Sequence, residues 1–391
     1  MPRSVIVADD LPPGPRSYSY AVQAGGWVFT AGMLGFDRTG EIVGPAPGRP
    51  DGRAQTRQAL DNLAAALGAL GIPLTHVAKV KGYVTDFRYA EAYNAAYREA
   101  FASPWPARAT VGAGLVPAHG VVALEAIGAV GRPPRVIWPP GRAEPPVPLT
   151  QGRQAAGVLF ASGQLARAPS GALIGRGDLR TQAEQALDNL GTVLDAAGLG
   201  FADVVKINGT VPDWSGLRRY HETLMKYFAE PLPARAIGQG APGVEGMLIE
   251  IEAVAVGGPR RVVPSRLAPG SRAVAVGNLV HLVGEAGDAA SGRLAAAGDV
   301  RAQARQILES LRLGLEALGG RMDDIVKTNV ALADHRLVSA FDDEYRAFFR
   351  PPYPARTTVV AGLAREPLLV EIEAVAVLGA AEEAIAVTGS A

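Results

Sequence analysis

The sequence predicts an α+β protein in which one domain is written three times, each copy a mixed β-sheet with two helices on one face. Three observations carry that prediction. Pro-Ala-Arg occurs as Pro106-Ala107-Arg108, Pro233-Ala234-Arg235 and Pro354-Ala355-Arg356, the arginines about 125 residues apart, which is the spacing of domains and not of solenoid units. A stripe at helical spacing recurs ahead of each motif: Leu60, Leu63, Leu67 and Leu70; Leu187, Leu190, Leu194 and Ala197; Leu308, Leu311, Leu315 and Leu318. After the second and third motifs come strand-like runs, Ile249-Glu250-Ile251-Glu252 and Val370-Glu371-Ile372-Glu373.

In chain order, each third opens on a β-branched run, Val5-Ile6-Val7, Val136-Ile137-Trp138 or Val262-Val263, followed by an apolar strand ending on Gly32, Gly163 or Gly284. The leucine-striped helix comes next, with Gly71, Gly198 and Gly319 where a glycine stop belongs. Central strands are expected over 76–86, 203–213 and 324–334. The second helix shows an apolar face through Tyr93, Tyr97 and Phe101; Tyr220, Leu224 and Phe228; Phe341, Tyr345 and Phe349. Pro-Ala-Arg should end it, because a residue before proline leaves helical geometry. Two strands complete a β-β-α-β-α-β-β unit, with room for one further short strand. The expected units are 1–131, 132–257 and 258–379, with 380–391 a flexible tail; Asp37 and Asp51 read as loop residues. The joints, Gly131-Arg132-Pro133-Pro134 and Gly257-Gly258-Pro259, are short, and each sheet has a second face to bury. Three sheets packed about a pseudo-threefold axis meet both conditions.

Composition excludes several function classes. Of 391 residues, 48% are apolar and 19% charged, which describes a folded chain. Basic and acidic residues balance at 38 each, so no global field favours nucleic acid or an anionic membrane. There is no cysteine, hence no disulfide, thiolate metal site or cysteine nucleophile. The segment from Met1 to Val7 lacks the apolar core of a signal peptide, and a cytoplasmic protein is expected. His76, His119, His281 and His335 fall in unrelated contexts, and no glycine-rich turn has a phosphate-loop signature, so neither metal nor cofactor is expected.

The candidate chemistry lies in the arginines. A guanidinium at a strand entrance, with Thr110 or Thr358 two residues on, is a fork for a carboxylate. Fifteen residues after Arg235 and Arg356 stand Glu250 and Glu371, whereas the first copy has Ala123 there and keeps only Glu125. One reading makes each Arg and Glu a cross-strand ion pair of a hairpin. Arg108, which has no such glutamate, asks for another partner, such as a ligand anion. Glu252 and Glu373 read as carboxylates that solvate the strand end.

Taken together, Ser162-Gly163-Gln164, the helices with Gln58 to Leu63 and Gln185 to Leu190, Asp324-Ile325-Val326-Lys327, Pro-Ala-Arg-Thr and the Val370 to Val377 strand resemble the RidA (YjgF/YER057c/UK114) family of enamine/imine deaminases. The resemblance spans nearly the whole chain, three times over. It implies RidA-like (chorismate-mutase-like) domains, a trimer fused into one polypeptide with clefts between repeats, no cofactor, and hydrolysis of a small 2-imino acid to a 2-keto acid and ammonia. By resemblance, Arg108, Arg235 and Arg356 bind the substrate carboxylate, and Glu250 and Glu371 activate or position the water. The family's cleft tyrosine matches Tyr18, against Leu149 and Gly270 in the other copies. Its helix asparagine matches Asn94, against His221 and Asp342, and the position two after the arginine is Thr110, Ile237 or Thr358. Tyr18 thus joins the glutamates as catalytic, and Asn94, Thr110 and Thr358 join the arginines as substrate-binding. No copy has the full set, which points to one or two active clefts. From the residues alone, Tyr18 reads equally as a buried or rim aromatic and His221 as a helix-surface histidine.

Two alternatives remain open. One is a carboxylate-binding or regulatory protein without turnover. The other, a ring-opening amidohydrolase with a Ser-Lys pair per repeat, is disfavoured by the chain's five lysines and by Ala31, Ser162 and Val283 at the serine position. Some relatives have been labelled ribonucleases, but the balanced charge argues against RNA. The expected partner is a small carboxylate-bearing substrate, with no nucleic acid or membrane, and a chain that is monomeric or weakly self-associating.

Overall fold

The computed structural model describes residues 3–389 apart from 9–10, 14–16, 46–47, 118, 268, 287–293, 295 and 365–366. The first repeat runs β1 (Arg3–Ala8), β2 (Ala21–Ala24), β3 (Trp27–Thr30), β4 (Met33–Leu34), α1 (Gly52–Gly68), β5 (Val77–Val84), α2 (Ala90–Ala100), β6 (Ala107–Gly112), β7 (Gly114–Leu115) and β8 (Val122–Ala129). The second has β9 (Arg135–Ile137), β10 (Gly152–Ala155), β11 (Val158–Ala161), α3 (Leu179–Ala196), β12 (Val204–Val211), α4 (Leu217–Leu224), β13 (Ala234–Gln239) and β14 (Glu250–Val256). The third has β15 (Arg260–Pro264), β16 (Ser271–Val276), β17 (Leu279–Val283), α5 (Val300–Glu316), β18 (Ile325–Leu332), α6 (Val338–Phe348), β19 (Ala355–Val360) and β20 (Val370–Val377), after which comes β21 (Ala384–Gly389). The extra short strand is thus present in every repeat as β2, β10 and β16.

The long helices form where the stripes predict them. Leu60, Leu63 and Leu67, with their counterparts on α3 and α5, are fully buried against their own sheet, so Leu63→Ala would cost about 2–5 kcal/mol. Asp51, Asp178 and Asp299 cap these helices, each accepting a bond from the N–H two residues on. Asp51 is therefore a helix cap and not a plain loop residue. Gly71, Gly198 and Gly319 follow at φ 69°, 75° and 81°, the left-handed region that suits glycine. Two local readings are corrected. Helix α2 ends at Ala100, well before Pro106, so the Pro-Ala-Arg motif opens a strand and does not stop the helix. Helix α4 ends at Leu224, and Phe228, expected on its face, packs into the same core from beyond it.

Within each repeat the central strand pairs in parallel with the Pro-Ala-Arg strand and antiparallel with the last one: Ile207 faces Arg235 on one side, and Thr210 faces Glu250 on the other. A strand therefore separates each arginine from the glutamate of its own copy, which overturns the cross-strand ion-pair reading.

The repeats meet through the second sheet face. Bridges join Ala107 to Thr150, Ala234 to Ser271 and Ala355 to Ser19, so first meets second, second meets third and third meets first at equivalent positions. An apolar cluster with Trp27, Phe29, Phe160, Leu279 and Val377 spans all three repeats, with the Trp27 and Phe160 rings edge to face at 5.4 Å. Within the 380–391 stretch, Ala384–Gly389 pairs in parallel with β1 along its length, and 390–391 lie outside the described residues.

Candidate active site

At each seam the arginine strand of one repeat lies against the entry strands of the next. At the first seam the Thr150 N–H donates to the Pro106 carbonyl and the Gly163 N–H to the Arg108 carbonyl at 3.0 Å, while the Arg108 N–H donates to Ser162 Oγ at 2.8 Å. The Arg108 guanidinium stacks over Tyr97 at 5.0 Å and Tyr93 at 5.3 Å. Glu250 comes from the second repeat. A Cβ on Gly163 would lie 1.8 Å from Glu250 Oε1, so only glycine leaves space for this carboxyl beside the backbone that Arg108 holds. Burial, then the neighbouring Glu252, push the Glu250 carboxyl up to about 8, against the pull of Lys79, Lys81 and Arg108. Arg108 Nη1 and Asn94 Oδ1 are buried with no hydrogen-bond partner among the described residues.

At the second seam a cavity of about 380 Å³ is lined by Arg235 and His221 from the second repeat and by Gly270, Arg272, Glu285 and Glu371 from the third. Burial raises the Glu371 carboxyl to about 7, with the Ala364 backbone N–H opposing and Glu373 assisting. Burial, then Arg235, lower His221 to about 4, so its imidazole is neutral at neutral pH. His221 therefore lines the cleft half-buried, and is not the helix-surface histidine that its sequence context suggests. Arg272 is occupied by Glu285, with a 3.0 Å bond from Nε.

The third seam has the same backbone and different chemistry. The Ser19 N–H donates to the Pro354 carbonyl at 3.1 Å and the Gly32 N–H to the Arg356 carbonyl at 3.2 Å. Arg356 Nη1, however, lies 2.7 Å from Asp342 Oδ1, an ion-pair contact not aligned as a hydrogen bond. Its guanidinium stacks against Tyr345, Tyr18 and Phe341 at 4.8, 5.2 and 5.5 Å. Where the other seams present glutamate, this one has Ala123, packed with Tyr83 and Val111.

The structure thus brings Glu250 to Arg108 and Glu371 to Arg235, each across a repeat boundary. Tyr18 stands with Arg356 and Asp342, at the seam that has neither candidate glutamate. Thr358 is at that seam too, while Thr110 and Asn94 belong to the first. Ser162 Oγ is tied to the Thr150 carbonyl and the Arg108 N–H, which leaves it poorly suited to act as a nucleophile.

Sequence reasoning missed one set of residues. Glu252 and Glu373 do not solvate strand ends: they are paired between repeats, Glu252 with Lys79 at 2.9 Å and with Lys81, and Glu373 with Lys206 at 2.8 Å, while Glu125 meets Lys327 at 2.6 Å. Lys79 and Lys81 outweigh burial and hold Glu252 at about 2. The signal was in the sequence, because Lys79, Lys206 and Lys327 occupy one repeat position and the second glutamate, unlike the first, recurs in all three copies.

Comparison with known proteins agrees with this threefold reading. A family model described as endoribonuclease L-PSP matches residues 11–130, 141–257 and 262–378. A 2-iminobutanoate/2-iminopropanoate deaminase of Dermatophagoides farinae is 34% identical over 125 residues, covering 31% of this chain and 98% of its own. The Rattus norvegicus protein of the same name is 42% identical over 102 residues, covering 26% of this chain and 74% of its own. The crystal structure of RidA from the Antarctic bacterium Psychrobacter sp. PAMC 21119 is 30% identical, with a TM-score of 0.30 over 32% of this chain and 99% of that one. With the family model covering most of its length in three successive copies, the chain belongs to the endoribonuclease L-PSP, or RidA/YjgF, family as three tandem repeats.

Proposed function

We propose that this chain is an imine/enamine deaminase that hydrolyses small 2-imino acids to 2-keto acids and ammonia at its first and second seams, the third being silent. The three repeats are read as a fused pseudo-trimer. One observation carries the proposal: an arginine bedded on aromatic rings faces a buried carboxyl from the next repeat, with polar atoms around it left unpartnered.

In this reading the guanidinium forks the substrate carboxylate and fixes the C=N carbon beside the glutamate. A carboxyl protonated near neutral pH first gives its proton to the imine nitrogen, which makes the carbon more electrophilic. The carboxylate then takes a proton from the water as the water oxygen adds to that carbon, forming a carbinolamine. Returning that proton to the amine nitrogen lets the C–N bond break as the C=O bond forms. The carbinolamine hydroxyl gives its proton to the carboxylate as the C=O bond forms, so ammonia and the 2-keto acid leave and the glutamate is again protonated.

The test is the rate of loss of freshly generated 2-iminobutanoate. Acceleration that disappears in the Glu250→Gln/Glu371→Gln variant supports the proposal. Tight 2-keto acid binding with no acceleration across several imino acids replaces it with the non-catalytic carboxylate-binding reading.

A further inference from the structure

Four of the chain's five lysines do not reach solvent in the usual way. Lys79, Lys81, Lys206 and Lys327 line a cavity of about 200 Å³ bounded by all three repeats, which adjoins the second cleft and shares Ala236, Ile237, Glu371 and Glu373 with it. Three of these lysines occupy one repeat position, and each has a carboxylate from another repeat: Lys79 with Glu252, Lys206 with Glu373 and Lys327 with Glu125. Lys327 also donates to Thr357 Oγ1 and the Thr30 carbonyl, and Lys79 to the Ala161 carbonyl, whereas Lys206 Nζ, 2.8 Å from Glu373, has no aligned hydrogen bond among the described residues.

Lys81 differs in that it has no carboxylate to itself. Its counterparts in the other repeats are the neutral Asn208 and Asn329, and its carboxylate, Glu252, already serves Lys79. Four ammonium groups thus share three paired carboxylates. An extra charge out of bulk water is costly unless a counter-charge reaches it. Burial works against the Lys81 ammonium, but Glu252 and then Tyr83 keep its pKa well above the usual lysine range. Two further polar atoms in the lining, Asn208 Oδ1 and His281 Nε2, are buried without a hydrogen-bond partner among the described residues, and His281 is a deeply buried side chain. Beside Lys81, Tyr83 lies with its ring 5.9 Å from Nζ, where the other repeats have Thr210 and Ala331. The remaining wall is apolar, with Phe160, Ile127, Val254 and Val375. The volume exceeds that of an engineered cavity of about 150 Å³ that takes benzene.

We propose that this central cavity is a second binding site, for a small amphiphilic carboxylate whose anionic head meets Lys81 and whose ring-sized apolar body fills the wall of Phe160, Ile127 and Val254. The one-sided charge gives the site a single orientation despite its threefold scaffold. The proposal is independent of the activity at the seams.

Calorimetric titration of the whole chain with benzoate tests it. In the Arg108→Ala/Arg235→Ala variant, which removes the seam guanidiniums, about one equivalent of benzoate should still bind. Adding Lys81→Asn, the residue that the other two repeats carry there, should weaken that binding at least about tenfold, or about 1.4 kcal/mol. Absence of benzoate binding, its loss with the two arginines alone, or its indifference to Lys81→Asn overturns the proposal. If the Lys81→Asn chain does not fold, crystals of the wild-type chain soaked in 4-bromobenzoate give a second readout. Anomalous density inside the central cavity supports the site, and density at the seams only overturns it.

Discussion

The first and third seams share one backbone design and differ in what their arginines meet. In both, the residue after Pro-Ala bonds through its carbonyl to a glycine N–H of the next repeat, and aromatic rings bed the guanidinium. At the first seam Arg108 has no carboxylate within ion-pair distance among the described residues, and Glu250 stands across the boundary. At the third, Asp342 supplies from within the chain the carboxylate that a ligand would bring, and Ala123 removes the proton carrier. Fusing three copies relaxes the demand that every cleft work, because two others remain. The scaffold is then kept for closure while the chemistry is free to drift.

The largest expected effects break this comparison directly. Arg108→Ala and Arg235→Ala together should lower kcat/KM for 2-iminobutanoate on the order of 10²-fold or more, since they remove the fork that orients the substrate. Arg356→Ala should leave the rate within about twofold. Steady-state kinetics on both variants checks the contrast, and an equal loss from Arg356→Ala would place activity at the third seam.

A second prediction separates the first and second seams by pH. If each glutamate must begin protonated, hydrolysis falls as pH rises through its raised pKa, about 8 for Glu250 and about 7 for Glu371. Glu371→Gln should leave a single descending limb near pH 8, and Glu250→Gln one near pH 7. Limbs that do not move between the variants would show that some other group sets the profile.

Rebuilding the third seam is a smaller effect but a sharper one. Ala123→Glu with Asp342→Asn copies the first seam, with Gly32 already at the place of Gly163. Active clefts would rise from two to three, so turnover per chain should increase by about half. The new side chain displaces packing against Tyr83 and Val111, and overpacking there costs about 1–3 kcal/mol, read as a lower Tm.

The fold was legible because it rests on local periodicity repeated three times: Leu60, Leu187 and Leu308 mark the same face, and Gly71, Gly198 and Gly319 the same stop. The arginines and glutamates were legible as types. Their pairing was not, because Glu250 reaches Arg108 only where the second repeat packs against the first, and nothing within one repeat encodes a contact with the next. Tyr18 misled for the same reason: its residue type fits a cleft, but its seam is set by which repeat follows Arg356. His221 misled because a helix position says little about a face that only a neighbouring repeat covers. Glu252 and Glu373 had their partners on other repeats, so an isolated strand made them look solvated.

The Lys–Glu ion pairs give the finest test of the contrast, since at least one joins each pair of neighbouring repeats. Glu125→Ala strands Lys327, between the third repeat and the first, and Glu252→Ala strands Lys79 and Lys81, between the first and the second. If closure is maintained regardless of chemistry, both should cost about 3–5 kcal/mol, because each leaves a buried ammonium unpaired. Lys226→Ala, which breaks an exposed pair with Glu184, should cost at most about 1 kcal/mol. Acid should act on Glu252 in the same sense. Its carboxyl is held low in the folded chain, so its stabilising contribution is complete above the ordinary carboxylate range and is lost as pH falls towards about 2. Equilibrium denaturation of the three variants orders the effects. A Glu125→Ala chain no less stable than Lys226→Ala would mean that the third seam has drifted in its packing as well as in its chemistry.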